Sequence, residues 1–142
     1  IFGPPYEWNK IVKKSNILKE LYPINLIWDI EYSKAISAAK IALCFFSKLN
    51  RDTYTRRCFE IPAIGTMLFS EYSEDMSNLF LEGKEIEFFK STGELITKIN
   101  LYLKNDELRK TVAYNGHQRV IKDRHDIVSR MKSIINHYKA LN

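Results

Sequence analysis

Residues 50–70 read NRDTYTRRCFEIPAIGTMLFS and bring Asp52, Thr53, Tyr54, Thr55, Arg56, Arg57 and Glu60 together within nine positions. Placed on a helix over 54–64 at about 100° per residue, Tyr54, Cys58, Ile61 and Pro62 fall on one side, while Arg56, Arg57 and Glu60 share the remaining sector. A largely buried helix would thus carry its charges along one edge. The loop at 50–53 leads directly into it, so loop amides and the helix N-terminus open together, an arrangement that attracts anions. At the carboxyl end of a doubly wound sheet this is where phosphates bind. The competing reading is structural: i,i+3 and i,i+4 ion pairs on an exposed edge, worth about 0.2–0.5 kcal/mol each, with Asp52 serving as an N-cap.

Positioning such a loop requires a strand before it and another after it. Short runs rich in Ile, Leu and Phe alternate with segments of helical period, the pattern of βα units around a parallel sheet. Strands are expected at 1–2, 24–28, 41–46, 66–70 and 86–89, and crossover helices at 9–21, 31–39, 54–64 and 73–80. The two-sided apolar run IALCFF (41–46) predicts a central strand. After Phe89 only helices are expected. Ser91 with Glu94 three residues on forms a capping box, a second helix opens at Asn105 or Asp106, and Ile127, Val128, Met131, Ile134, Ile135 and Tyr138 form one stripe, expected to be buried, on a last helix. The predicted class is therefore α/β: a Rossmann-like, mostly parallel, five-stranded sheet with helices on both faces and a helical C-terminal tail.

Composition narrows the function. The 142 residues are 45% hydrophobic and 13% aromatic, enough for one domain with a genuine core, and no repeat or linker divides residues 1–142. The net charge of +5 and pI near 9.1 arise from a spread excess of basic residues, which suits an anionic ligand. Without a basic stripe interleaved with exposed aromatics, nucleic acid is not expected as a partner. Cys44 and Cys58 lie 14 residues apart without metal-ligand spacing; as reduced core residues they point to a cytoplasmic setting. IALCFF is far short of the roughly 20 residues needed to span a bilayer. His117, His125 and His137 are too scattered for a ligand set, and Asp29 with Glu31 reads as a helix start, so no metal is expected. A phosphate-receiver module would need an acidic pair after its first strand, and GPPYEWNK supplies none. The chain begins at Ile1, which suggests a piece of a longer protein.

The run DTYTRRCFEIPAIGTMLFSEY, followed by LFLEGKEIEFFKSTGELITKINLYLKNDELRKTVAYNG, resembles the C-terminal half of the group 1 glycosyltransferases. The branch it is most similar to is the CgeB-like, spore-maturation branch, where a D-T-F-T-x-R-x-F-E-I-x-A-x-G segment precedes an acidic loop, a G-K-E strand and C-terminal helices. The likeness covers residues 30–135 approximately. It implies one half of a GT-B fold, in which two Rossmann-like halves face each other across a cleft. The C-terminal half binds a nucleoside-diphosphate sugar, and the acceptor-binding N-terminal half would lie outside this chain, leaving the fragment inactive alone. The group's two acids, separated by seven residues, correspond here to Asp52, in place of the usual Glu, and Glu60. The resemblance implies that Glu60 accepts hydrogen bonds from the donor ribose, that amides around Thr53, Tyr54 and Thr55 meet the diphosphate, and that Arg57 is a charge partner. Transfer would proceed without metal or cofactor, with retention. The alternative is a non-catalytic nucleotide-binding or partner-recognition module of the same fold.

Overall fold

The structure, a computed structural model, describes residues 3–141; the strand expected at 1–2 lies outside them. The chain divides into two compact units, Ile1–Ala35 and Ile36–Asn142.

In the first unit, helix α1 (Pro5–Val12) starts with proline at its first position, where the missing N–H is no loss. Ile24 N–H donates to Asn9 Oδ1 at 2.9 Å, and Val12 and Ile24 are buried. The helix expected over 9–21 ends at Val12 and resumes only as a short 3-10 turn, Lys19–Leu21. Between them Ser15 Oγ accepts from Leu18 N–H at 3.1 Å, a side-chain bond that competes with continued helix. INLIW (24–28) is not a strand: the segment has no ladder partner among the described residues. Helix α2 (Asp29–Ser37) begins at Asp29 itself, in the left-handed region at φ 46°, rather than after it.

The second unit is built on a sheet of three strands, β1 (Ile41–Cys44), β2 (Met67–Glu71) and β3 (Glu87–Phe89), all parallel in the order β1-β2-β3. The five strands expected thus become three among the described residues. The central strand is β2, not β1. Met67 through Ser70 are buried without interruption, whereas on β1 Leu43 remains 40% exposed, as an edge strand allows. Helix α3 (Arg57–Ile64) crosses from β1 to β2 and ends at Gly65, whose φ of 90° is the left-handed cap that glycine adopts without strain. Helix α4 (Glu74–Leu79) connects β2 to β3. It is followed by α5 (Thr92–Lys104), α6 (Asp106–Lys122) and α7 (Ile127–Leu141).

Alternation along the strands separates two cores. Ala42, Cys44, Leu68 and Phe88 pack with Cys58, Ile61, Met76 and Phe80 on one face. On the other, Met67, Phe69 and Phe89 pack with Leu95, Tyr102 and Val112. Helices therefore cover both faces. Ser91 Oγ accepts from Glu94 N–H at 3.2 Å, as a capping box predicts, but the Glu94 carboxylate reaches Lys90 N–H at 2.8 Å instead of the cap residue. Asn105 caps α6 through Leu108 N–H at 3.1 Å. The apolar stripe of α7 differs from expectation: Ile127, Val128, Met131, Ile134, Ile135 and Tyr138 are all exposed. Periodicity places them on one face, and that face is open to solvent rather than buried. No helix among the described residues is long and apolar enough to cross a membrane.

Candidate functional site

The connection from β1 to α3 leaves the carboxyl end of the sheet and makes a closed loop at 47–56 before the helix begins. Its neck is held by Asp52: its N–H donates to Ser47 O at 3.1 Å, and its Oδ2 accepts from Ser47 N–H at 3.3 Å. Asp52 is therefore a loop clasp and not a helix N-cap; that position belongs to Arg56, which makes no side-chain cap bond. Helix α3 starts three residues later than the sequence suggests, so Thr53, Tyr54 and Thr55 belong to the loop. Thr55 Oγ1 turns inward to Cys44 Sγ at 3.5 Å, while Tyr54 is exposed and meets Phe59 edge-on, with ring centroids 6.0 Å apart.

Two residues from β2 and the turn after it fix this loop, and local sequence signals pointed to neither contact with the loop. Glu71, at the end of β2, accepts from Phe46 N–H at 2.8 Å and from Lys48 Nζ at 2.7 Å. Ser73, the N-cap of α4, donates through Oγ to Thr53 O and accepts from Met76 N–H. Phe46 and Lys48 bonding hold the Glu71 carboxyl below its ordinary range, the Lys48 ammonium being the larger cause. A carboxylate whose folded pKa is depressed stabilises the fold above its unfolded value, near 4.3, and loses that contribution as pH falls through the folded value. Acidification through that window is thus expected to release the loop. The protection of the Phe46 amide against exchange, taken relative to the intrinsic rate at each pH, should fall in acid and fall at neutral pH in Glu71→Gln; protection unaffected by either change would refute this.

The backbone N–H groups of Thr53, Tyr54, Arg56 and Arg57 donate to no backbone acceptor among the described residues, while the Thr55 N–H is directed at the Cys58 sulfur and lowers its pKa. Unpaired amides clustered at a helix N-terminus form a donor surface for an anion. Beside them Arg57 is exposed, with no ion-pair partner among the described residues, and half-buried Glu60 pairs with Arg56 at 2.7 Å. The edge of charges foreseen for α3 thus exists, with Cys58, Ile61 and Pro62 buried opposite.

The histidines lie elsewhere. His125 has a side chain only 5% exposed, with its ring 4.5 Å from Phe59, and burial followed by the nearby Arg130 charge lowers its pKa. The His117 ring nitrogen Nδ1 lies 3.1 Å from Pro62 O. No three His, Cys, Asp or Glu residues gather as a potential metal site among the described residues. A cleft of about 500 Å3 opens at the opposite, amino end of the strands, between Lys40, Thr66, Arg109 and Tyr114, away from the loop.

Solved structures share this architecture. Anabaena HepE, solved in complex with UDP, superposes with a TM-score of 0.71 at 14% identity over 99% of this chain and 38% of its own. The sucrose-phosphate synthase of Thermosynechococcus elongatus gives 0.68 at 15% identity over 96% of this chain and 35% of its own. The C-terminal domain of a group 1 glycosyl transferase (LpcC) from Francisella tularensis gives 0.60 at 18% identity over 82% of this chain and 60% of its own. These likenesses establish the fold as that of one half of a GT-B enzyme; the chain spans between 35% and 60% of the length of these three proteins. No curated protein matches the chain. The sequence model of the glycosyl transferase-like family matches residues 1–136, and the chain belongs to that family.

Proposed function

We propose that the chain is the donor-binding half of a cytoplasmic, CgeB-like group 1 glycosyltransferase, and that a nucleoside-diphosphate sugar binds at the 47–56 loop. The observation that carries this reading is the group of four unpaired amides at Thr53, Tyr54, Arg56 and Arg57, at the carboxyl end of β1 where the helix dipole of α3 adds to them. The diphosphate would lie across these amides with Arg57 as counter-charge. Glu60, on the exposed edge of the same helix, would accept the ribose hydroxyls. Asp52 uses Oδ2 on Ser47, leaving Oδ1 to face the sugar. The UDP in the HepE structure is consistent with a ligand of this class.

The difficult event in such a transfer is departure of the nucleoside diphosphate from the anomeric carbon. Negative charge grows on the leaving phosphate, and preformed amides with an arginine stabilise it without a metal or organic cofactor. The acceptor would be held by a second half outside this chain. The 142 residues alone are therefore expected to bind a diphosphate sugar weakly and to transfer nothing. Calorimetric titration with uridine, guanosine and adenosine diphosphate sugars checks the first point and a transfer assay the second. Failure of all three nucleotides to bind would sink the donor reading, and efficient transfer would sink the division into halves.

A further inference from the structure

We propose that Cys44 and Cys58 are a peroxide-sensitive dithiol, which closes to a disulfide and reshapes the loop above it. This effect on function rests on the donor reading of that loop; the disulfide itself does not. The two cysteines are the only ones in the sequence, and fold brings together what a 14-residue separation keeps apart: their sulfur atoms lie 3.8 Å from each other. One ends β1 and the other stands in the first turn of α3, so the pair joins both ends of the loop. Thr55 Oγ1 lies over both, 3.5 Å from Cys44 Sγ and 4.0 Å from Cys58 Sγ. The same loop residue directs both its hydroxyl and its backbone N–H at the thiols and stands between the unpaired amides of Tyr54 and Arg56.

The electrostatics give the two sulfurs different roles. Donation from Cys44 lowers the pKa of the Cys58 thiol, which also sits at a helix N-terminus, while the same bond and then burial raise that of Cys44. Both thiols are buried, and the cover is thin: Arg51, Thr53, Tyr54, Arg56 and Arg57 are exposed, so local opening of the loop admits a small oxidant. In that opened state the Cys58 thiolate attacks a hydroperoxide oxygen; after proton uptake, hydrogen peroxide yields a sulfenic acid and one water. The Cys44 thiol then attacks the Cys58 sulfur, the S–S bond forms, and the sulfenic oxygen leaves as a second water. Each sulfur gives up one electron overall and the peroxide takes both. A disulfide needs sulfur atoms about 2.05 Å apart, so closure draws the start of α3 toward β1 and removes the thiol hydrogens shared with Thr55.

The test treats the purified protein with stoichiometric hydrogen peroxide. The expected product is a monomer lighter by two hydrogen atoms, restored by dithiothreitol and absent from Cys44→Ser. Tryptic cleavage at Lys48, Arg51, Arg56 and Arg57, followed by mass spectrometry, should change rate on oxidation. Affinity for whichever of uridine, guanosine or adenosine diphosphate binds the reduced protein should fall by about tenfold or more, equivalent to misplacing one good contact. Unreacted thiols, oxidation confined to one cysteine, or disulfides only between molecules would overturn the proposal. So would an intramolecular disulfide that leaves nucleotide affinity unchanged, in which case the donor reading survives. If the reduced protein binds none of the three nucleotides, the donor reading fails instead; the loop cleavage rates then decide, and unchanged rates overturn the proposal.

Discussion

Glu60→Ala is expected to weaken donor binding by about 1.5–3 kcal/mol, about 10- to 150-fold, the range for hydrogen bonds to a charged group. Stability should change little. Among the described residues the only ion-pair partner of Glu60 is Arg56, at 2.7 Å, and the Arg56 side chain is 86% exposed. An i,i+4 pair in that setting contributes about 0.3–0.5 kcal/mol. Its small worth separates the two roles open to the residue. If Glu60 serves only as a partner of Arg56, then Glu60→Ala and Arg56→Ala should be equivalent: a few tenths of a kcal/mol off stability and no change in donor affinity. If it holds the ribose, Arg56→Ala leaves most of the affinity while Glu60→Ala removes it. Calorimetry and thermal melts on both variants read the difference. Equal, unaffected donor affinities with intact folds would leave α3 with an ordinary solvated edge and take away the main residue-level support for the donor site.

Elements closed by their own local chemistry were legible in the sequence, and those that depend on a distant partner were not. Ser73, Ser91 and Asn105 each cap a helix through an amide three residues on, so the starts of α4, α5 and α6 could be read from residue type alone. The run at 24–28 has the composition of a strand, but a strand exists only when another strand lies beside it, and composition carries no information about that. The same limit explains α7: a period of 3.6 fixes which residues share a face, not what covers it. At the candidate site, Thr53 to Glu60 could be proposed together because they are contiguous. The loop itself was misread as helix because its hydrogen bonds run backwards and across, from Asp52 to Ser47 and from Ser73 to Thr53. Glu71 and the Cys44–Cys58 pairing were invisible for the same reason, since the first is a product of strand adjacency and the second of α3 packing against β1. The parallel register of β1 against β2, Cys44 opposite Ser70, is what brings Glu71 within reach of Phe46 and Lys48.

A glycine in the middle of a 17-residue helix has to be accounted for, because glycine costs about 1 kcal/mol relative to alanine at such a position. At Gly116 the reason is packing. A Cβ built there would stand 2.3 Å from Glu85 O and 3.3 Å from its carbonyl carbon, both backbone atoms that no side-chain rotation can move away. The contact is held on either side: Asn115 Nδ2 donates to Lys84 O at 3.1 Å, and His117 Nδ1 approaches Pro62 O at the same distance. Close approach of α6 therefore fixes the turn leading into β3 and the C-terminal half of α3 together, and α3 carries the candidate donor edge. Gly116→Ala gains about 1 kcal/mol of helix propensity but must displace backbone, a strain of about 1–3 kcal/mol or more for overpacking. The net expectation is destabilisation by about 1–2 kcal/mol, and by more for Gly116→Val. Gly93, in the first turn of α5, has nothing within 4 Å of its Cβ position, so Gly93→Ala should instead stabilise, by about 0.4–1 kcal/mol. Denaturant unfolding of both variants gives the comparison. The opposite signs are the test: if Gly116→Ala were as stabilising as Gly93→Ala, α6 would not lie against Glu85 as described, and the placement of α3 that depends on it would have to be abandoned.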